Sequence, residues 1–266
     1  MSDRLTGHVC LITGATGMAA AAATRCAAEG AGVFIVSMEP EECRVLAERI
    51  RQEGGTAAWS AADLRDEVAT NAAVAACVER FGRVDGLFAV AGASARTHGD
   101  GPIDQATLDG FAAAYELNAV PAFTVAAAAI RQMLHQDPAA GGRGAIILMS
   151  SVLASSPAQL FATHGYATAK GAIEALTVTM AARYAADLIR VNAVAPGLVA
   201  TPMSQRAQDD PASVAYAARK QPLAQGLLPA EAAADLAVFL LSPESRYITG
   251  QVIALDGGWS VTEAPA

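Results

Sequence analysis

Short apolar runs alternate with longer alanine-rich stretches along the whole chain. Val9–Thr13, Val33–Ser37, Val84–Val90, Ala145–Ser150, Val191–Ala195 and Val252–Leu255 are apolar at nearly every position, and Thr56–Ser60 is a weaker run of the same kind. A strand that is apolar on both faces has to be covered on both, so the pattern predicts parallel strands between two layers of helix. The segments between them are rich in helix formers, among them Ala19–Ala23 and Ala126–Ala129, which predicts a helix after most strands. The expected class is α/β, a doubly wound parallel sheet of about seven strands with helices on both faces.

No Pro/Ser linker and no long repeat interrupts this alternation, and α/β sheets in chains of 266 residues commonly stay in one unit, so residues 1–266 are expected to form a single domain. The expected irregular stretch is about Thr201 to Gly226, which holds Pro202, Asp209, Asp210, Pro211 and Pro222. Loops this long in compact domains often serve as lids over a site. The end from Thr262 to Ala266 is expected to fray.

Charge narrows the partners. The net charge is -8, and the 18 Lys and Arg residues are scattered rather than gathered into a stripe, which argues against nucleic acid or an anionic membrane surface and for small-molecule or protein partners. No apolar signal region of the usual length precedes a cleavage site. The longest apolar stretch, Ala119 to Ile130, runs to about 12 residues and includes Pro121 and Thr124, short of the ~20 that span a bilayer. Cys10, Cys26, Cys43 and Cys77 lack paired metal spacing and read as small buried hydrophobes of a reducing compartment, the cytoplasm, with no metal site expected.

Two segments carry chemistry. The first strand runs into Gly14-Ala-Thr-Gly17-Met-Ala-Ala20 and then a helical stretch to Glu29, the context a phosphate-binding glycine turn requires. Gly14 allows the tight turn, Gly17 lets backbone amides and a helix N-terminus approach a pyrophosphate, and Ala20 is expected where helix packs on strand. The second is Tyr166-Ala-Thr-Ala-Lys170, which puts a phenol and an ammonium one helical turn apart. A nearby cation favours the phenolate and so lets a tyrosine exchange a proton with an alcohol.

Five Tyr and two Lys in 266 residues make roughly 0.04 such pairs expected by chance, yet Tyr216 and Lys220 form a second one. Context separates them. Tyr166 follows a strand ending in Ser150-Ser151, which delivers a hydroxyl to the carboxyl edge of the sheet where ligands bind in such folds. Tyr216 lies in the proline-rich stretch and reads as lid or surface.

With these residues in view the chain resembles the short-chain dehydrogenase/reductase family over nearly its whole length. The resemblance rests on Thr13-Gly14-Ala-Thr-Gly17, Ala91-Gly92 after the fourth strand, Asn118, Ser151 with Tyr166 and Lys170, Pro196-Gly197 followed by Thr201, and Val252 to Trp259. It implies a Rossmann-type domain, a nicotinamide cofactor, and an oxidoreductase of secondary alcohols and ketones. It implies further that Tyr166 is the general acid/base, that Ser151 binds the substrate oxygen with Ser150 as an alternative, that Lys170 lowers the tyrosine pKa and holds the nicotinamide ribose, and that Asn118 positions a water feeding the lysine.

The cofactor contacts it implies are Gly14, Thr16, Gly17, Met18, Ser37, Asp63, Leu64, Ala91, Gly92, Tyr166, Lys170, Pro196, Gly197, Val199 and Thr201. The family's frequent Asn-Asn before Ala91-Gly92 is replaced by Ala89-Val90, so local backbone changes are expected there. Ser37-Met38-Glu39 ends the second strand with no basic residue beside it, and Glu39, Glu41 and Glu42 would repel a 2′-phosphate. The reading is NAD(H), with NADP(H) open.

The pocket walls are expected from Val152 to Gly165, with Leu160, Phe161 and His164 in it, from Ser94 to Asp100, and from the lid; His164 reads as a wall residue rather than a second base. An NADPH-dependent reductase of carrier-bound 3-oxoacyl groups and a non-catalytic nucleotide-binding regulator are the rival readings. The family's habit of pairing through two long helices, here about Asp104–Gln136 and Gly165–Ala186, implies a homotetramer, with a dimer as the alternative.

Overall fold

The computed structural model describes residues 3–139 and 141–263. One sheet of seven strands is found among them, β1 (Val9–Thr13), β2 (Gly32–Ser37), β3 (Thr56–Ala61), β4 (Gly86–Ala89), β5 (Gly144–Met149), β6 (Ile189–Pro196) and β7 (Val252–Leu255). Every neighbouring pair is parallel, in the order β3-β2-β1-β4-β5-β6-β7. The order reverses between β1 and β4, which opens a crevice at the carboxyl ends of those strands.

Two layers of helix cover the sheet. Helices α1 (Gly17–Ala28), α2 (Pro40–Gln52) and α8 (Ala230–Leu241) bury Ala22, Cys43 and Val238 against Cys10, Ile12, Val33 and Ile35. Helices α3 (Glu67–Phe81), α4 (Leu108–Leu134) and α5 (His164–Tyr184) bury Cys77, Val125 and Ile173 against Leu11, Phe34 and Val36. Odd and even positions of one strand therefore serve opposite cores, which is why the strand runs are apolar throughout.

Three expectations change in detail. Val84–Val90 contracts to Gly86–Ala89; at its start the Val9 amide is taken by the Asp85 carboxylate at 2.9 Å, and at its end the Val90 amide by the Thr13 hydroxyl, side chains in place of strand carbonyls. Helix α4 is, by length and composition, apolar enough to cross a membrane, unlike the 12-residue run read within it; 56% of that window is buried in the protein, as in a core helix, and α4 packs along α5. The stretch Thr201–Gly226 is not irregular throughout, since it contains α6 (Gln205–Gln208) and α7 (Pro211–Lys220). Its Asp-Pro sequence is a helix start: Asp210 accepts from the amides of Ala212 and Ser213, and Pro211 occupies the first helical position, where no amide is needed. The last residues of the end expected to fray, 264–266, lie outside the described residues.

Candidate active site

At the crevice β1 turns through Gly14 and Gly17, whose φ angles of +96° and +52° lie in the left-handed region that favours glycine. A Cβ on Gly17 would stand 3.0 Å from Thr201 Cγ2, and one on Gly14 3.1 Å from Ala19 Cβ. The residue packed under the turn is thus Ala19, 1% exposed, and not Ala20, because the helix starts at Gly17 and turns position 19 toward the sheet. Thr16, just before helix α1, gives it no side-chain cap, and its first turn holds no acidic residue, whereas α3, α4 and α7 are capped by Asp66, Thr107 and Asp210. Free amides at a helix N-terminus beside close-approach glycines fit an anionic pyrophosphate.

Across the crevice the turn after β4 is tied to the end of β1. The Thr13 hydroxyl accepts from the amides of both Val90 and Ala91 at 3.0 Å, which holds the turn in the absence of the missing asparagines. Gly92 lies so close to α4 that a Cβ would meet Asn118 Oδ1 at 2.6 Å. Asn118 donates from Nδ2 to the carbonyls of Ala93 and Ala114, and its Oδ1 is buried without a protein partner.

The chemical residues converge from three elements. Ser151 follows β5, is buried, and accepts the Leu153 amide at 3.2 Å. Tyr166 and Lys170 stand on the first turns of α5, with Lys170 Nζ 5.4 Å from the phenol ring centre. The Lys170 ammonium donates to the Met149 carbonyl at 2.8 Å. The Ser150 hydroxyl turns the other way and donates to Glu174 Oε1 at 2.8 Å.

The electrostatics differ from the expectation that the lysine depresses the tyrosine. Burial pushes the Tyr166 phenol up to about 12, opposed by a hydrogen bond with Ser151, and burial pushes Lys170 down to about 7. The physical reason is desolvation: Lys170 is buried and the half-buried Tyr166 is surrounded by protein atoms on the cleft floor, so the charged form of each loses hydration. Near pH 7 the pair holds its proton on the tyrosine, and the lysine is poised to give or take one.

One cleft of about 1070 Å³, its open mouth included, joins the two ends. Gly14, Thr16, Gly17, Met18, Ala91 and Gly92 line its nucleotide end. Asn118, Ser151, Tyr166 and Lys170 line its floor, and Pro196, Gly197, Val199 and Thr201 close the third side. Ser37, Asp63 and Leu64 are not in the lining: Ser37 ends β2, Asp63 pairs with Arg65 at 2.6 Å, and the buried Leu64 carbonyl accepts the Thr124 hydroxyl.

Of the expected walls, Phe161 lines the cleft, but Leu160 and His164 are exposed and outside its lining. Residues 94–100 are outside it too, and Asp100 does something the sequence reading missed. Its buried carboxylate accepts the amides of Gly165 at 2.8 Å and Tyr166 at 3.0 Å, fixing the first turn of α5. Trp259 was read only as the end of the last strand segment, yet it is 2% exposed and lines the cleft. Tyr216, read as lid or surface, packs on Phe161 and Trp259, while Lys220 donates to the Thr262 carbonyl.

Residues 13–260 match the family model described as enoyl-(acyl carrier protein) reductase. The chain belongs to the short-chain dehydrogenase/reductase family. As a family member it is an oxidoreductase acting on CH–OH groups, and its cofactor is a nicotinamide nucleotide. It is similar to the short-chain reductase protein NovJ of Streptomyces niveus, with 37% identity over 94% of this chain and 93% of the relative. Trans-4-hydroxycyclohexanecarboxylate dehydrogenase of Sinomonas cyclohexanicum is 36% identical over 97% of this chain and 95% of its own. The structure of a gluconate 5-dehydrogenase from Burkholderia cenocepacia, in complex with NADP and tartrate, superposes with a TM-score of 0.88 and 29% identity, covering 98% of both chains.

Proposed function

We propose that this enzyme exchanges a hydride between NAD(H) and a secondary alcohol or its ketone, with Tyr166 as the general acid/base. The observation that carries the reading is the convergence of the half-buried Tyr166, the Ser151 hydroxyl bonded to it and Lys170 on one floor of a cleft whose other end is the open glycine turn.

A bound nicotinamide supplies or accepts the hydride at the carbinol carbon. Tyr166 gives its proton to the oxygen in reduction and takes it back in oxidation. Ser151 donates to the same oxygen, stabilising the charge that develops there with no reorganisation of solvent. Lys170, with a pKa near 7, relays the proton, and the unpartnered Asn118 Oδ1 holds a water that connects the lysine to bulk solvent.

Gly14, Thr16, Gly17 and Met18 would cradle the pyrophosphate, and Ala91, Gly92, Pro196, Gly197, Val199 and Thr201 the nicotinamide side. Ser37, Asp63 and Leu64 would face the adenosine. The choice of NAD(H) is supported by the charges near β2 and β3: Arg44 is held between Glu41 and Glu48, and Arg65 by Asp63, while Glu39 follows the strand. The other two cations of these segments, Arg49 and Arg51, stand in the last turn of α2, away from the carboxyl end of β2, and donate to the Thr24 hydroxyl and the Ala57 carbonyl.

The test is turnover of secondary alcohols by the purified enzyme with each cofactor. Tyr166→Phe is expected to lower kcat about 10²- to 10⁴-fold while NAD still raises the melting temperature of the variant. Undiminished turnover in that variant, or a larger melting shift with NADP(H) than with NAD(H), would refute the corresponding half of the proposal.

A further inference from the structure

Besides the two cores of the sheet there is a third, small apolar cluster, and it sits at the chemical end of the cleft. Val152, Ala158 and Trp259 are its buried members, with Leu153, Phe161, Leu198 and Tyr216 packed on them. Three of these are aromatic and mutually in contact: the ring centres of Phe161 and Trp259 are 5.8 Å apart, those of Tyr216 and Trp259 5.4 Å, and those of Phe161 and Tyr216 6.1 Å. The Trp259 indole is pinned by donating to the Ser156 carbonyl at 3.0 Å. Phe161 and Trp259 line the cleft, and Tyr216 stands outside the lining as their support.

The polar inventory of that wall is short. Lys170 is the one charged side chain lining the cleft among the described residues, and its ammonium is engaged by the Met149 carbonyl. The Ser150 hydroxyl is committed to Glu174. Asn118 is given to the water path in the reading above, Thr16 and Thr201 to the nucleotide, and the Ser204 hydroxyl is bonded to the Val199 carbonyl; Ser151 and Tyr166 remain, enough for one substrate oxygen. Arg96 and Arg206 stand outside the lining. A carboxylate or a second hydroxyl carried deeper would lose its water against Leu153, Phe161, Leu198 and Trp259 with nothing to replace it. A rigid ring, by contrast, meets the half-buried Phe161 ring, held in place by the buried Trp259 and by Tyr216, and gives up little conformational freedom on binding.

We propose that Phe161, held in place by Trp259 and Tyr216, forms a ring-binding wall that makes this site selective for neutral carbocyclic secondary alcohols presenting a single hydroxyl to Ser151 and Tyr166. The proposal rests on the hydride-transfer reading above and deepens it, and two readouts keep the two separable.

The first readout is kcat/KM for cyclohexanol, the acyclic 3-hexanol, gluconate and 4-hydroxycyclohexanecarboxylate. Cyclohexanol is expected to exceed each of the others at least tenfold. Phe161→Ala is expected to raise its KM about tenfold and to shrink the advantage over 3-hexanol to about threefold or less. If that variant does not fold, Phe161→Leu, which keeps bulk but loses the flat face, serves instead. The second readout needs no turnover: in Trp59→Phe, which leaves Trp259 as the one indole of the two in the chain, cyclohexanone added to the NAD⁺ complex should shift the emission.

If Tyr166→Phe abolishes turnover but cyclohexanol has no advantage in the wild-type enzyme, the wall is wrong and the hydride reading stands. If no alcohol is oxidised but cyclohexanone still perturbs Trp259, the hydride reading is wrong and the wall stands. Faster oxidation of gluconate or of the carboxylated ring, a ring preference that survives loss of Phe161, or no response of Trp259 to the ketone overturns the proposal.

Discussion

Asp100 accepts the backbone amide of Tyr166 at 3.0 Å, joining the segment after β4 to the first turn of the helix that carries the phenol. The same carboxylate takes the Gly165 amide, and it is 6% exposed. Removing it leaves two buried donors unpaired at the point where the position of Tyr166 is set.

Asp100→Ala is therefore expected to cost about 1–3 kcal/mol of stability and to lower kcat at least fivefold, with Asp100→Asn losing about half as much because one acceptor oxygen survives. Thermal unfolding and steady-state kinetics check both. A variant with a lower melting temperature and unchanged kcat would mean that Asp100 stabilises α5 without positioning the phenol.

Lys170 makes stability depend on pH with a definite sign. Its pKa falls from 10.5 unfolded to about 7 folded, so between those values the unfolded chain binds the extra proton. Stability then rises with pH from about 7 toward 10.5, by up to about 1.4 kcal/mol per unit from this group. Tyr166 acts in the opposite direction at higher pH: its pKa rises from 10.0 to about 12, so its contribution is intact below 10 and is lost between 10 and 12. Lys170→Met is expected to be more stable than the wild type near pH 7, with the gap closing as pH rises to 10. Denaturant unfolding at pH 7, 8.5 and 10 measures it, and a gap independent of pH would refute the assignment.

Gly17→Ala places a methyl group at a φ of +52° and 3.0 Å from Thr201 Cγ2. Both effects fall on the turn that would hold a pyrophosphate. The affinity for NAD(H), measured by calorimetric titration, is expected to weaken at least tenfold, about 1.4 kcal/mol. Gly92→Ala crowds Asn118 Oδ1, 2.6 Å from the added carbon, and is expected to lower kcat more than nucleotide affinity.

Helix α4 leaves Leu108, Phe111 and Phe123 exposed at 81, 42 and 58%, and α5 leaves Val178 at 51%. We expect these faces to pair between copies and the enzyme to behave as a homotetramer in light scattering. Phe123→Glu should reduce the mass to that of a dimer or a monomer. A wild-type monomer at micromolar concentration would refute the assembly.

The Tyr166/Lys170 pair, the glycine turn and the serine after β5 were legible because each depends on neighbours within a few residues: i and i+4 share a helix face, and a strand, a turn and a helix follow one another directly. Helix α7 is legible in the same way, since Asp210-Pro211 is a local helix-start signal. Asp100 left no such signal, because its partners at 165 and 166 are 65 and 66 positions away. The aromatic wall is assembled from residues 161, 216 and 259, and nothing in the local pattern around any one of them names the other two.

By itself the sequence determined the order of strands and helices, the doubly covered sheet and the residue types at its carboxyl edge, since backbone periodicity and turn chemistry act over short spans. Only the tertiary structure decided which charges those residues carry and what they face. Burial, not the neighbouring ammonium, governs the Tyr166 phenol, and burial is a property of distant segments closing over it. The same closure brings Phe161 and Trp259 to the cleft, and so makes an apolar wall where the sequence showed only an alcohol's reaction partner.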